Sequence, residues 1–149
     1  MNKIKFADNV TMESLNPHNF ALKNDYINNL VYTALAIIPY ANEYIGTDKV
    51  RVTRGFLSRK YMQDEIRIPP KKVDDLYKHA EGLAIELTWD NFDTESAIGL
   101  ARFILNPVTR FKDQVKIVIN GNKKRISFYL NVNETEVYED TTDGLRQIM

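Results

Sequence analysis

The stretch Lys78–Leu87, KHAEGLAIEL, decides how this chain is read. LAIEL carries apolar residues around one carboxylate, Glu86, and reads as a buried strand. A carboxylate in such a strand is costly unless a positive group holds it. His79 stands ahead of it in the chain, with Gly82 between them. A metal ion can hold Glu86, and so can a lysine or an arginine. The plain structural expectation makes His79 a polar loop residue bonded to a nearby carboxylate, and pairs Glu86 with Arg54 or Lys78.

The flanking segments give this strand its setting. Upstream, NDYINNLVYTALAIIPYANEYIG repeats apolar residues at helical spacing (Ile27, Leu30, Val31, Ala34, Ile38, Ala41, Ile45). Asn24 or Asp25 can cap that helix and Gly46 can end it, while Pro39 should kink or divide it. KVRVTRG predicts a short strand ending at Gly55, FLSRKYMQDEI a short helix, and RIPPKK an extended loop. VDDLYKHAEG predicts a helical turn. Downstream, Thr94 is expected to cap the helix ESAIGLARFILN, and QVKIVIN and RISFYLNV form a hairpin across GNKK. Residues 1–23 read as a polar arm or irregular lead-in with apolar anchors, packed on the domain, 24–132 as the folded domain, and 133–149 as an acidic tail that is loosely ordered or docks on a partner. The predicted fold class is α+β, a small antiparallel sheet packed against helices.

Bulk properties narrow the function. The 149 residues are 44% hydrophobic, enough to bury one core. Twenty basic residues balance twenty acidic ones, which argues against electrostatic binding of nucleic acid. The basic residues between Arg51 and Lys78 alternate with Phe56, Tyr61 and Tyr77. Acids interrupt them, so a solvated face is expected there. The absence of cysteine removes disulfides, thiol catalysis and cysteine-bound zinc. No run reaches the roughly 18 apolar residues of a membrane span. The start, MNKIKFADNVTMESL, lacks the apolar core of a secretory signal, so synthesis and folding in a cytoplasm are expected.

VRVTRGFLSRKYM, KHAEGLAIEL and FKDQVKIVINGNKKRISFYLNV together resemble the zinc-dependent D-alanyl-D-alanine carboxypeptidases and the related phage and bacterial peptidoglycan peptidases. The resemblance covers about residues 24–132. In that family a strand motif ending G-Y-R-S leads to S-x-H-x-x-G-x-A-x-D-I and then to a hairpin carrying F-D-Q-L-I-x-E and W-V-H. The resemblance implies that His79 takes the first zinc-ligand position and that Glu86 stands where the aspartate ligand would be. Gly82 and Ala84 match the rest of that motif. On the same resemblance Gly55, Ser58 and Gln114 would be remnants of the substrate groove, and Asp113 with Gln114 reproduces the D-Q.

The match fails at the chemistry. Leu57 replaces the substrate-binding arginine, the third ligand histidine falls at Tyr129, and the general-base glutamate falls at Val118. Catalytic zinc needs three protein ligands, an open water position and a base. The chain has two histidines, and His18 lies outside the motif in SLNPHNF. A phenol must lose a proton with a pKa of about 10 to bind well, and valine takes no proton. Glu81 is close to His79 in sequence, but nothing in the spacing makes it the base.

The first expectation is therefore a non-catalytic structural or binding module on a zinc-peptidase-like fold, with no cofactor, acting as a bacteriophage virion component. Its partners would be other protein subunits, met through the N-terminal arm, the acidic tail and aromatic anchors such as Trp89. The alternative is a zinc-dependent peptidoglycan peptidase using His79, Glu86 and a third ligand. An inactive wall-binding domain is a third possibility, against which Leu57 counts.

Overall fold

The computed structural model describes residues 5–65, 76–109 and 111–149. The expected RIPPKK loop lies outside the described residues. The described chain opens with a small antiparallel pair, β1 (Lys5–Ala7) and β2 (Val10–Thr11), which runs into one turn of helix, α1 (Met12–Leu15). The long helix α2 (Asn24–Ile45) follows, then β3 (Val50–Arg54) and α3 (Arg59–Asp64). A 3₁₀ turn (Leu76–Glu81) leads into β4 (Ala84–Trp89), and α4 (Thr94–Leu105) into a second 3₁₀ turn (Pro107–Thr109). Two hairpins complete the chain: β5 (Val115–Asn120) with β6 (Arg125–Leu130), and β7 (Glu136–Thr141) with β8 (Gly144–Gln147).

The fold is α+β. Six strands form one sheet in the order β3-β4-β6-β5-β7-β8, antiparallel except for the parallel pair β5–β7. Burial alternates strictly along β5, so that Val115, Ile117 and Ile119 enter the core and the residues between them do not. Ile85, Leu87, Ile126 and Phe128 join them, and α2 and α4 cover this face with Leu30, Ala34, Ile37, Leu100 and Ile104. A smaller cluster of Leu57, Met62, Tyr77 and Ala80 packs α3 against the first 3₁₀ turn.

Two close approaches fix the ends of β4 and β3. Gly82 has φ +77, and a β-carbon there would stand 2.6 Å from the carbonyl oxygen of Tyr26 in α2. Thr33 in α2 donates to the Gly82 carbonyl at 2.8 Å and seals the contact. At Gly55 a β-carbon would lie 2.2 Å from the carbonyl oxygen of Leu15, which receives the Phe56 N–H at 2.7 Å. The N-terminal segment thereby lies along the β3 side of the sheet, and the Asn9 amide donates to the carbonyl of Val50 at 2.8 Å.

Several local expectations are corrected. The segment 133–149 is not a loosely ordered tail: β7 and β8 extend the sheet, and Val137 is fully buried. The N-terminal arm, by contrast, packs on the domain as expected, with Val10 and Leu15 in the main core. Asp93, not Thr94, caps α4, in a reciprocal capping box with Ser96. Lys23 occupies the cap position of α2 without a side-chain bond. Pro39 does not divide α2, because both Pro39 and Leu35 are exposed and water can satisfy the Leu35 carbonyl that loses its donor.

Candidate functional site

The paired register brings the expected site residues onto one sheet face. Glu86, Ser127 and Val118 form one row across β4, β6 and β5, and Ala84, Tyr129 and Lys116 form the next. Directly opposed residues share a face, and their alternates point into the helix-covered core. Glu86, Val118 and Tyr129 therefore lie together on the face away from α2 and α4. His79 reaches the same place from the first 3₁₀ turn, its ring edge-on to Tyr129 with centroids 5.8 Å apart.

Glu86 is buried and held on all sides. Its Oε1 accepts from Arg125 Nη1 at 3.0 Å and from the Thr53 hydroxyl at 2.9 Å, with Arg54 Nε at 4.0 Å. Its Oε2 accepts from the Ser127 hydroxyl at 3.2 Å. The register of β3 against β4 slips between Val52 and Arg54, so Thr53 and Arg54 together oppose Glu86. Such a bulge re-aims side chains, and here it turns a hydroxyl and a guanidinium onto one carboxylate. Of the two cations expected beside Glu86, Arg54 is present. Lys78 is not, and donates instead to the Asn131 carbonyl at 2.9 Å.

His79 is buried and its two nitrogens differ. Nδ1 lies 2.7 Å from the carbonyl oxygen of Gly55. A carbonyl only accepts, so Nδ1 carries the proton of the neutral ring. Nε2 is buried with no hydrogen-bond partner. Burial pushes the His79 pKa down to about 4, against the smaller raising effects of the Gly55 carbonyl and Glu86. The backbone adds a second link, since the Leu57 N–H donates to the His79 carbonyl at 3.2 Å. His79 thus pins the segment after β3 rather than bonding to a carboxylate.

These residues do not fit the zinc that the sequence resemblance implies. His79 Nε2 has a free lone pair, which suits a ligand. The oxygens of Glu86, however, already accept from Arg125, Thr53 and Ser127, and Arg54 stands 4.0 Å away as an ion-pair partner, so two guanidinium charges oppose a cation at that point. Tyr129 offers a phenol and Val118 no proton acceptor. Among the described residues, no group of three or more acidic or histidine side chains is arranged to hold a metal.

The remaining candidates are dispersed. Ser58 caps α3, accepting from the Tyr61 N–H at 3.1 Å. Gly55 serves the close approach to Leu15. His18 packs on Tyr61 at 4.7 Å between ring centroids. Trp89 is an internal anchor, stacked on Phe92 and donating to Ser96 at 3.2 Å. The sequence reading missed Arg125, Ser127 and Thr53. Arg125 and Ser127 alternate with Tyr129 on one strand, a signal that needed the register of the hairpin against β4.

Gln114 lies elsewhere, in an open cleft. One hollow of about 460 Å³ is lined by Asn29, Tyr32, Asp113 and Gln114, and an adjoining one of about 470 Å³ by Arg59, Tyr77, Lys78 and Asn133. Glu81, Asn131 and Val132 line both. The Tyr32 hydroxyl donates to Asp113, and this bond raises the tyrosine pKa to about 12.

Comparison with models of protein families, with curated proteins and with solved structures found no match.

Proposed function

We propose that the chain is a non-catalytic structural or binding module on a zinc-peptidase-like fold, serving as a component of a bacteriophage particle. The observation that carries this reading is the state of Glu86. A carboxylate saturated by Arg54, Arg125, Thr53 and Ser127 is a structural ion-pair centre and not a metal ligand in waiting. Tyr129 and Val118 deepen the same reading, since they supply neither a third ligand nor a base on the face where both would be needed.

The assignment to a particle rests on the resemblance to peptidase domains common among phages, an analogy of fold and not of site. An assembly role draws support from β8. It forms one edge of the sheet, all four of its residues are exposed, and Leu145 is 54% exposed. Bare strand edges are places where another chain can add. No helix among the described residues is long and apolar enough to cross a membrane.

The test is the zinc content of protein purified without added metal or chelator, with His79→Ala alongside, together with cleavage of purified cell walls. The expected result is substoichiometric zinc, unchanged in the variant, and no chelator-sensitive cleavage. Near one zinc per chain, lost in His79→Ala and accompanied by chelator-sensitive cleavage, establishes the peptidase instead.

A further inference from the structure

We propose that the cleft between α2, the first 3₁₀ turn and the segment after β6 binds an uncharged oligosaccharide. This goes beyond the non-catalytic reading and does not depend on it, because neither Glu86 nor His79 lines the cleft.

The two hollows adjoin, with Glu81, Asn131 and Val132 lining both. Each has a volume within the range of about 300–1,000 Å³ common to small-ligand sites. Side by side, the two hollows offer room for more than one sugar ring.

The lining selects the class of ligand. The apolar part is confined to Leu83, itself buried, and Val132 beside the tyrosines. That gives no pocket for an acyl chain or for the apolar side chains that anchor a peptide. Two cations, Arg59 and Lys78, meet two carboxylates, Glu81 and Asp113, so the groove has no net charge with which to select a phosphate or a nucleic-acid backbone. What it does offer is a dense mixture of donors and acceptors. Gln114 accepts from Thr135 through Oε1, which leaves its amide nitrogen to donate. Asn29 donates to the Glu81 carbonyl, which leaves its oxygen to accept. Sugar hydroxyls both donate and accept, and neighbouring hydroxyls on a ring can engage both heteroatoms of one carboxylate or amide.

The walls are braced in advance, which reduces the ordering cost of binding. Lys78 ties its side chain to the Asn131 carbonyl at 2.9 Å, and Asn131 holds φ +57, a conformation asparagine tolerates. At the rim, the Tyr32 hydroxyl is fixed to Asp113 while the residue stays 47% exposed. Its ring is therefore a held aromatic surface against which the C–H face of a sugar can stack.

The experiment is an amide NMR titration of the full chain with millimolar maltotetraose, cellotetraose and N-acetylchitotetraose. An uncharged peptide, acetyl-Gly-Asn-Ser-Gly-Asn-amide, is run beside them. The expected result is saturable shifts from at least one saccharide, centred on Glu81, Gln114 and Asn131. Gln114→Ala and Glu81→Gln should each weaken binding by up to about tenfold, the scale of one lost hydrogen bond. Arg51→Ala, in β3 and outside the groove, should leave it unchanged. Dispersed spectra in all three variants exclude loss of fold. The proposal is overturned by no shift with any saccharide, by shifts centred elsewhere, by insensitivity to both groove variants, or by binding of the peptide alone.

Discussion

Replacing His79 with glutamine should flatten the acid side of the stability curve. In the native chain burial holds the His79 pKa at about 4, whereas the ordinary value for an accessible histidine is 6.5. Above pH 6.5 the ring is neutral in both states and pH has no effect through it. Between pH 6.5 and 4 the unfolded chain binds a proton that the native chain refuses. Stability contributed by the neutral ring is therefore complete above the unfolded pKa and lost as pH falls toward the folded one. The gap corresponds to at most about 3 kcal/mol, at 1.36 kcal/mol for each pH unit. Glutamine keeps an N–H for the Gly55 carbonyl and does not titrate, so the carboxylates common to both proteins cancel in the comparison. Urea unfolding at intervals from pH 7.5 to pH 4 is the assay. The native protein should lose up to about 3 kcal/mol more than the variant across that range. Parallel curves, or an NMR titration placing His79 near 6.5, would refute the reasoning, because a ring that protonates freely is not buried with Nε2 unpartnered.

Glu86→Gln should destabilise by about 1–3 kcal/mol in urea, because an amide cannot satisfy Arg125, Arg54, Thr53 and Ser127 together. The partial exposure of both arginines keeps the loss below that of a sealed ion pair. Gly82→Ala should cost about 2 kcal/mol or more, from the left-handed backbone and the clash with the Tyr26 carbonyl, read as a fall in Tm. Pro39→Ala should raise stability by about 1–2 kcal/mol, since it restores a hydrogen bond inside α2 at an exposed site; a fall in Tm counts against a continuous helix there.

What could be read from the sequence was what repeats locally. The period of α2 and α4 and the alternation of β5 are each contained within one segment, as is the hairpin turn at Gly121–Lys124. β7 was missed because only Val137 is fully buried along it, and acids fill the positions around that residue. Its place beside β5 comes from a parallel pairing that no local pattern announces. The site divides in the same way. That Glu86 needed a positive partner followed from burial alone, and Arg54 was within sight as its neighbour on the adjoining strand. Arg125 was not, because it meets Glu86 only once β6 has docked on β4 in one register. A shift of that register by one residue would turn Arg125 and Ser127 to the other face and leave the carboxylate buried beside Ile126. The buried charge is thus a constraint on strand pairing. Glu86 penalises misregistered sheets by the cost of an unpaired carboxylate, and this is a reason to keep an acid at that position that calls on no metal.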